Sequence, residues 1–387
     1  MKDHCRVPAG KLDLGGTFRA RNAASTLAWL RPLLPLFGIT RVANVTGLDR
    51  IGIPVWMCIR PNGRSLSVSQ GKGLSPELAQ ASAVMESIES HHAEHMAPPS
   101  VVGSFHTVRR RHEVVAPRRF QPGIRWKAYD DRRPIWWTAG IDLTSEEEVL
   151  VPHIRMDLDW SRTHPDAGLL LGTSTGLASG NTRAEALCHA LFEIVERDAE
   201  WHWDRLPAKR QLQSELDPDS VNAPMLRRLL DRFADARISV RMWDMTSAAV
   251  GIPVYYCSID DANPFGGIRT FGGSGCHLSK DIALSRALTE AAQSRLTFIA
   301  GSRDDLFPEE YLARDTLGPR GKAATLDFRT RKSPQLGHTF EEDLAITLAL
   351  LRSAGLPQVI AVDHTRAEFG IPVVSVVVPG MREPETD

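Results

Sequence analysis

The chain has 387 residues, 42% of them hydrophobic and 24% charged, a composition that excludes a disordered or fibrous protein and can fill one large domain or two. Its 46 Lys and Arg nearly balance 47 Asp and Glu, for a net charge of −1. No global field therefore draws it to nucleic acid or to an anionic membrane, and an anionic ligand must be held locally.

The N-terminal MKDHCRVPAG lacks the apolar core of a signal peptide, and the longest apolar run is broken by Arg31, Pro32 and Pro35. A cytosolic protein is expected. The five cysteines are scattered without a C-x-x-C, which argues for reduced core thiols rather than disulfides or structural zinc. In chain order, TLAWLRPLLPLF (26–37) reads as an amphipathic helix, and the stretch 40–59 as two strands, the second opened by Gly52-Ile53-Pro54-Val55. SQGKGLSPELAQASAVMESIES then gives a glycine-bearing loop and a helix ending in Glu86 and Glu89, with Ser75 placed to cap it. Residues 101–137 interrupt the pattern as an insert rich in Arg, Pro and aromatics. GLASGNTRAEALCHALFEIVER repeats the loop–helix plan, with Thr182 as cap and Glu193 and Glu196 three apart.

A second amphipathic helix (224–236) precedes a second strand pair (239–259) carrying Gly251-Ile252-Pro253-Val254. GSGCHLSKDIALSRALTEAAQSR is a third loop–helix segment, with Ser279 as cap and Glu290 and Gln293 in the acid positions. A polar excursion (304–334) follows, then a third helix (341–354), a third strand pair (358–378) with Gly370-Ile371-Pro372-Val373, and a short tail, 381–387. Proline suits the first residues of a strand. Helices packed on antiparallel hairpins predict an α+β layered fold.

Acids at i, i+3 point the same way from a helix, so Glu86 with Glu89 and Glu193 with Glu196 each offer two carboxylates to one point. If the repeats face one another, four acids meet, and unpaired carboxylates at close range repel. Such a cluster implies a hard divalent cation, magnesium above all, bridging protein oxygens to phosphate. Lys72, Asn181, Arg197, Gln293 and Arg295 lie beside the same helices, and glycine loops entering helix N-termini favour phosphate. No Walker motif is present, so a nucleotide site here is of another kind.

Three rival readings stand beside this one. Gly172-Thr173-Ser174-Thr175-Gly176 matches G-x-S-x-G, but a nucleophile elbow turns straight into its helix and Leu177–Asn181 intervene. His91, Glu94 and His95 match the inverted zincin H-x-x-E-H, without an evident third ligand. The arginines and tryptophans of the insert suit nucleic acid, but the balanced charge of the whole chain speaks against it.

GKGLSPELAQASAVMESIES, GLASGNTRAEALCHALFEIVERDA and RALTEAAQSR resemble the three ATP-site segments of YcaO-domain proteins, in the family's order, and the resemblance runs over about residues 19–380 of what reads as a single catalytic domain, 1–387. It implies a YcaO-type fold and ATP- and magnesium-dependent activation of a peptide backbone amide by O-phosphorylation. Carried over, Glu86, Glu89, Glu193 and Glu196 resemble the magnesium ligands. Ser82, Asn181, Glu185, Arg197 and Arg295 resemble nucleotide contacts, with Arg197 and Arg295 the catalytic cations. In GGTFRARNAASTL, Arg19 and Thr26 are further candidates, Arg21 or Lys11 standing in for Arg19.

GITRVANVTGLDRIGIPV together with GSRDD resembles the TfuA-associated branch, which implies thioamide formation, a precursor peptide or protein as substrate and a TfuA-like partner. The alternatives are an azoline-forming cyclodehydratase, whose relatives often end in a proline-rich tail absent here, and a non-catalytic nucleotide- or peptide-binding accessory protein. A homodimer is implied by the resemblance alone.

Overall fold

A computed structural model of the chain describes residues 10–123, 125–261, 270–307 and 325–384. A small pair, β1 (Leu12–Asp13) and β2 (Phe18–Arg19), leads to α1 (Ala23–Leu30), capped by Asn22, which accepts from the Ser25 amide at 2.8 Å. The helix expected over 26–37 changes at Arg31 into a 3₁₀ stretch, Arg31–Phe37, because Pro35 brings no N–H to an α-ladder. β3 (Arg41–Asn44), β4 (Val55–Ile59) and β5 (Val68–Lys72) form an antiparallel sheet against α2 (Pro76–Glu94). The insert contributes β6 (Val101–Ser104) and α3 (Phe105–Val108), and β7 (Pro134–Asp142) and β8 (Glu148–Pro152) follow.

β9 (Leu177–Ser179) runs into α4 (Arg183–Asp204), followed by α5 (Ala208–Gln213) and α6 (Pro224–Asp235). β10 (Ile238–Asp244), β11 (Val254–Asp261) and β12 (Thr270–Cys276) make a second antiparallel sheet against α7 (Lys280–Ala300). Finally α8 (Phe340–Ser353) precedes β13 (Ile360–Asp363) and β14 (Val373–Val377), which join the largest sheet in the order β6-β7-β13-β14-β9, with β8 on β7. The result is an α+β fold. Among the described residues no helix is long and apolar enough to cross a membrane. Cys58, Cys188, Cys257 and Cys276 are buried free thiols, and Cys5 lies outside the described residues.

The three Gly-Ile-Pro-Val segments do one job. Gly52, Gly251 and Gly370 adopt φ of 73°, 72° and 66°, left-handed values that glycine tolerates without steric cost, and each valine then opens a strand. Val55 pairs with Lys72, Val254 with Cys276 and Val373 with Ser179. Those partners stand four residues before the helix starts at Pro76, Lys280 and Arg183. Three equivalent units result, each a hairpin, a third strand and a helix. Two are continuous in the chain, whereas the third is split: β9 and α4 come early, and the hairpin β13–β14 completes them from the far end.

Glycine in the third strand serves packing more than a loop. A Cβ on Gly71 would sit 2.0 Å from the Ala83 nitrogen and 2.3 Å from the Ala79 oxygen; on Gly275 it would meet the Ala283 oxygen at 2.1 Å and the Ala287 nitrogen at 2.5 Å. The repeated alanines are thus the helix surface on which the strand lies. Each helix also packs on the third strand of another unit, α2 on β9, α4 on β12 and α7 on β5, which closes the units around a common centre. Away from it, α4 buries Leu187, Leu191, Ile194 and Val195, and α6 buries Leu226, Leu229, Leu230 and Phe233. Ser75 and Thr182 cap α2 and α4 through bonds from Leu78 and Glu185 amides. Ser279 holds the cap position of α7 without a side-chain bond; its own amide donates to His277 Nδ1 at 2.9 Å.

Candidate active site

α2, α4 and α7 turn their polar faces into a cavity of about 920 Å³. Glu86 with Glu89, Glu193 with Glu196, and Glu290 with Gln293 line it from three sides. They occupy matching positions on their helices, because each unit fixes the helix start against its strand. Neighbouring units hold the acids in place: Glu89 Oε1 accepts from the Ser179 amide (2.7 Å) and hydroxyl (2.6 Å) on β9, and Glu290 Oε2 accepts from Lys72 Nζ on β5 at 2.5 Å. Glu193 Oε2 accepts from the Gly176 amide at 3.0 Å.

The field of the cavity follows from this crowding. Burial pushes Glu86 and Glu193 up to about 7, with Glu193 adding to the rise of Glu86 and Glu196 to that of Glu193. Burial raises Glu89 to about 8 against the pull of the Ser179 bonds. Burial and then Glu290 raise Glu196 to about 7. Glu290 differs: burial would raise it, but Lys72 and Arg197 hold it below the usual carboxylate range. Burial works against the Arg197 charge, yet Glu196 and Glu290 hold its pKa above the usual value. The one acid that α7 turns into the cavity, Glu290, is therefore already neutralised by Lys72, while the pairs on α2 and α4 are short of cations.

Two buried atoms show what is missing. Glu196 is 3% exposed and its Oε2 has no hydrogen-bond partner; Arg286 Nε, in the same cavity, has none either. An orphan carboxylate oxygen asks for a cation and an orphan guanidinium nitrogen for an anion, the combination that a divalent metal on phosphate supplies. Among the described residues no three Asp, Glu, His or Cys side chains form a metal's protein shell by themselves. Magnesium keeps waters and takes one or two carboxylates plus phosphate oxygens, which suits pairs of acids set around an open space.

The other expected residues fall into two groups. Arg19, Thr26, Lys72, Ser82, Asn181, Glu185, Arg197 and Gln293 all line the cavity. Four of them form one corner: Thr26 Oγ1 donates to Asn181 Oδ1 at 2.7 Å, Asn181 Nδ2 donates to Glu185, and Arg19 Nε stands 3.7 Å from Glu185 Oε1. Arg19 also contacts the half-buried His189 ring. Arg21 lines the cavity as well, whereas Lys11 pairs with Asp343.

Arg295 does not reach the cavity. It pairs with Asp49 Oδ2 at 2.9 Å and Asp261 Oδ2 at 3.0 Å, on another side of α7. Two residues past Gln293 is a turn of roughly 200°, so both cannot face one way. Arg286, seven residues before Gln293, returns to the cavity face. Sequence reasoning missed it, although in the repeat it aligns with Ser82 and His189, which also line the site. Arg303 and Asp305, paired with each other, and Glu383 with Pro384 complete the lining. Glu383 is anchored by Arg155 at 2.8 Å, which holds Glu383 and Pro384 at the cavity wall.

Both rival enzyme motifs fail on geometry. Glu94 is locked by Arg60 in a two-pronged pair (2.8 and 2.7 Å) and accepts from the Ser65 amide and hydroxyl, leaving no base for a zinc water. His91 and His95 stack with ring centroids 4.3 Å apart, and His95 Nδ1 bonds the His91 carbonyl. Ser174 lies on a turn that enters strand β9, not a helix.

With this geometry in hand, the family model described as YcaO cyclodehydratase, ATP- and Mg²⁺-binding, matches residues 70–382. Over 377 residues the chain is 37% identical to an uncharacterised protein in the tfuA 3′ region of Rhizobium leguminosarum bv. trifolii, covering 94% of this chain and 88% of that one. It is 34% identical over 377 residues to an uncharacterised protein of Methanothermobacter thermautotrophicus, covering 94% of each. Among solved structures it is similar to YcaO from Methanopyrus kandleri bound with AMPPCP and Mg²⁺, at 28% identity and TM-score 0.71, covering 96% of this chain and 94% of that one. A heterocyclase in complex with substrate and cofactor shares the fold at TM-score 0.77 and 21% identity; 99% of this chain is covered, but only 55% of the heterocyclase.

Proposed function

This chain belongs to the YcaO family, whose members bind ATP and Mg²⁺, and on that footing we propose that it activates a peptide backbone amide by O-phosphorylation to make a thioamide. The observation that carries the reading is the convergence of two cation-poor glutamate pairs, an orphan Glu196 oxygen and an orphan Arg286 nitrogen in one cavity. Glu86, Glu89, Glu193 and Glu196 would hold magnesium; Arg19, Arg197 and Arg286, with Thr26, Ser82 and Asn181, would hold nucleotide. Bound MgATP supplies a phosphoryl group that turns the amide oxygen into a leaving group. The residues supply position and charge neutralisation, which phosphoryl transfer needs more than a protein nucleophile. That accounts for a site of acids and arginines without a nucleophile–base pair.

In the proposed reaction a sulfide adds to the amide carbonyl, the oxyanion takes the phosphoryl group, and phosphate leaves as C=S forms. Amide, hydrogen sulfide and ATP thus give thioamide, ADP and phosphate. Likeness to the protein in the tfuA 3′ region supports thioamide over azoline, and a TfuA-like protein is the proposed partner. The test incubates the chain with MgATP, sulfide, a TfuA-like protein and peptides encoded beside its gene, and reads peptide mass. Exchange of oxygen for sulfur is expected. Loss of water would identify an azoline former, and ADP release indifferent to every peptide would point to an accessory role.

A further inference from the structure

The insert carries a charge imbalance that the site does not use. Nine Arg or Lys and three Asp or Glu fall in 101–137, in a chain whose net charge is −1. The insert's described residues, 101–123 and 125–137, are tied into the fold by backbone contacts. Val115 bonds the Leu150 carbonyl, Pro122 bridges Leu170, and the His106 amide donates to the Asp131 carbonyl at 2.9 Å, drawing 105–112 against 130–133. Arg109, Arg110, Arg111, Lys127 and Arg132 are exposed. Among the described residues only Arg118 of this insert pairs with a carboxylate, Asp131, at 3.6 Å. The excess charge is therefore fixed on a preformed surface, where ordering costs little on binding.

The aromatic rings separate two kinds of polyanion. Trp126 and Tyr129 stack on each other at 4.6 Å and 6°, and the Arg118 guanidinium lies 6.0 and 5.6 Å from their centroids. Rings engaged in this way are poor platforms for nucleic-acid bases, which bind single strands by stacking on free aromatic faces. Arg125 and Arg133 donate to the carbonyls of Ala167 and Pro165, on the loop whose Trp160, Leu171 and Thr173 line the cavity. The surface thus adjoins the wall of the active site.

We propose that the basic face of residues 105–123 and 125–133 is a docking surface for an acidic polypeptide segment, which it holds beside the cavity. Recognition here is electrostatic and separate from the chemistry, so it stands or falls apart from the proposed reaction. The test measures binding of a fluorescent oligoglutamate peptide to the full chain by anisotropy, against a peptide of alternating Glu and Lys and against oligouridylate RNA. Oligoglutamate should bind the parent protein, more weakly as salt rises, and the alternating peptide should not. The triple variant Arg109→Gln/Arg110→Gln/Arg111→Gln should weaken it by about tenfold or more, as loss of several surface charge contacts predicts. The double variant Lys127→Gln/Arg132→Gln reads the opposite rim and should weaken it in the same direction. Unchanged binding in both variants, at an unchanged melting curve, would overturn the proposal. So would oligouridylate binding more tightly than oligoglutamate and losing that affinity in the variants.

Discussion

Replacing Glu196 by Gln separates the cost of the site from its use. Burial and Glu290 raise the Glu196 carboxyl from 4.5 to about 7 in the metal-free fold, and the side chain is only 3% exposed, so solvent relieves little of it. A raised carboxyl binds its proton more tightly when folded. Below pH 4.5 both states are protonated and no difference exists; as pH rises through 7 the unfolded state ionises first and stability is lost. The shift corresponds to about 3 kcal/mol above pH 7. Gln cannot ionise. Glu196→Gln should therefore leave metal-free stability unchanged below pH 4.5 and raise it by about 1–3 kcal/mol above pH 7, measured by urea unfolding in chelator. The same variant should lose the stabilisation that magnesium with AMPPCP gives the parent, and lose ATP turnover. A variant no more stable than the parent above pH 7, or one that still gains stability from magnesium with AMPPCP, would refute this account of the carboxylate.

Two further outcomes follow from particular contacts. Gly71→Ala places a methyl 2.0 Å from the Ala83 nitrogen, so strand and helix must part at a cost of about 1–3 kcal/mol; Gly47→Ala, with nothing within 4 Å, should be near neutral. Equal melting temperatures for the two variants would contradict the packing role of Gly71. Arg286→Met should weaken AMPPCP binding by about tenfold or more while sparing the fold, since charge-assisted bonds to phosphate are lost. Arg295→Met should do the reverse, costing stability by removing the buried pairs to Asp49 and Asp261 and leaving affinity alone. Titration calorimetry and urea melts on both proteins decide it, and a nucleotide defect in Arg295→Met with normal binding by Arg286→Met would return Arg295 to the site.

Much of the local structure was legible because its signals are short-ranged. Ser75 and Thr182 cap the helices they precede, and the three Gly-Ile-Pro-Val segments each open a strand after a glycine of positive φ. Local chemistry misled where the deciding neighbour is distant. Gly71 read as part of a phosphate loop, yet it is a strand residue whose missing side chain makes room for Ala83. Glu94 matched a zinc motif, but Arg60, which holds it, lies 34 positions away.

Periodicity along the chain sufficed to pair Glu86 with Glu89 and Glu193 with Glu196, since a helix sets the direction of residues three apart. It could not say which arginine of α7 shares their cavity, because that depends on the rotation at which the helix meets its strand: Gly275 against Ala283 and Ala287 turns Arg286 inward and sends Arg295 to Asp49 and Asp261. Nor could adjacency reveal that β9 and α4 belong with a hairpin about two hundred residues later. The pairing of Val373 with Ser179 is a long-range backbone contact, whose loop-closure cost grows only slowly with separation. Once it forms, three helices meet around one cavity, and acids distant in the chain become neighbours.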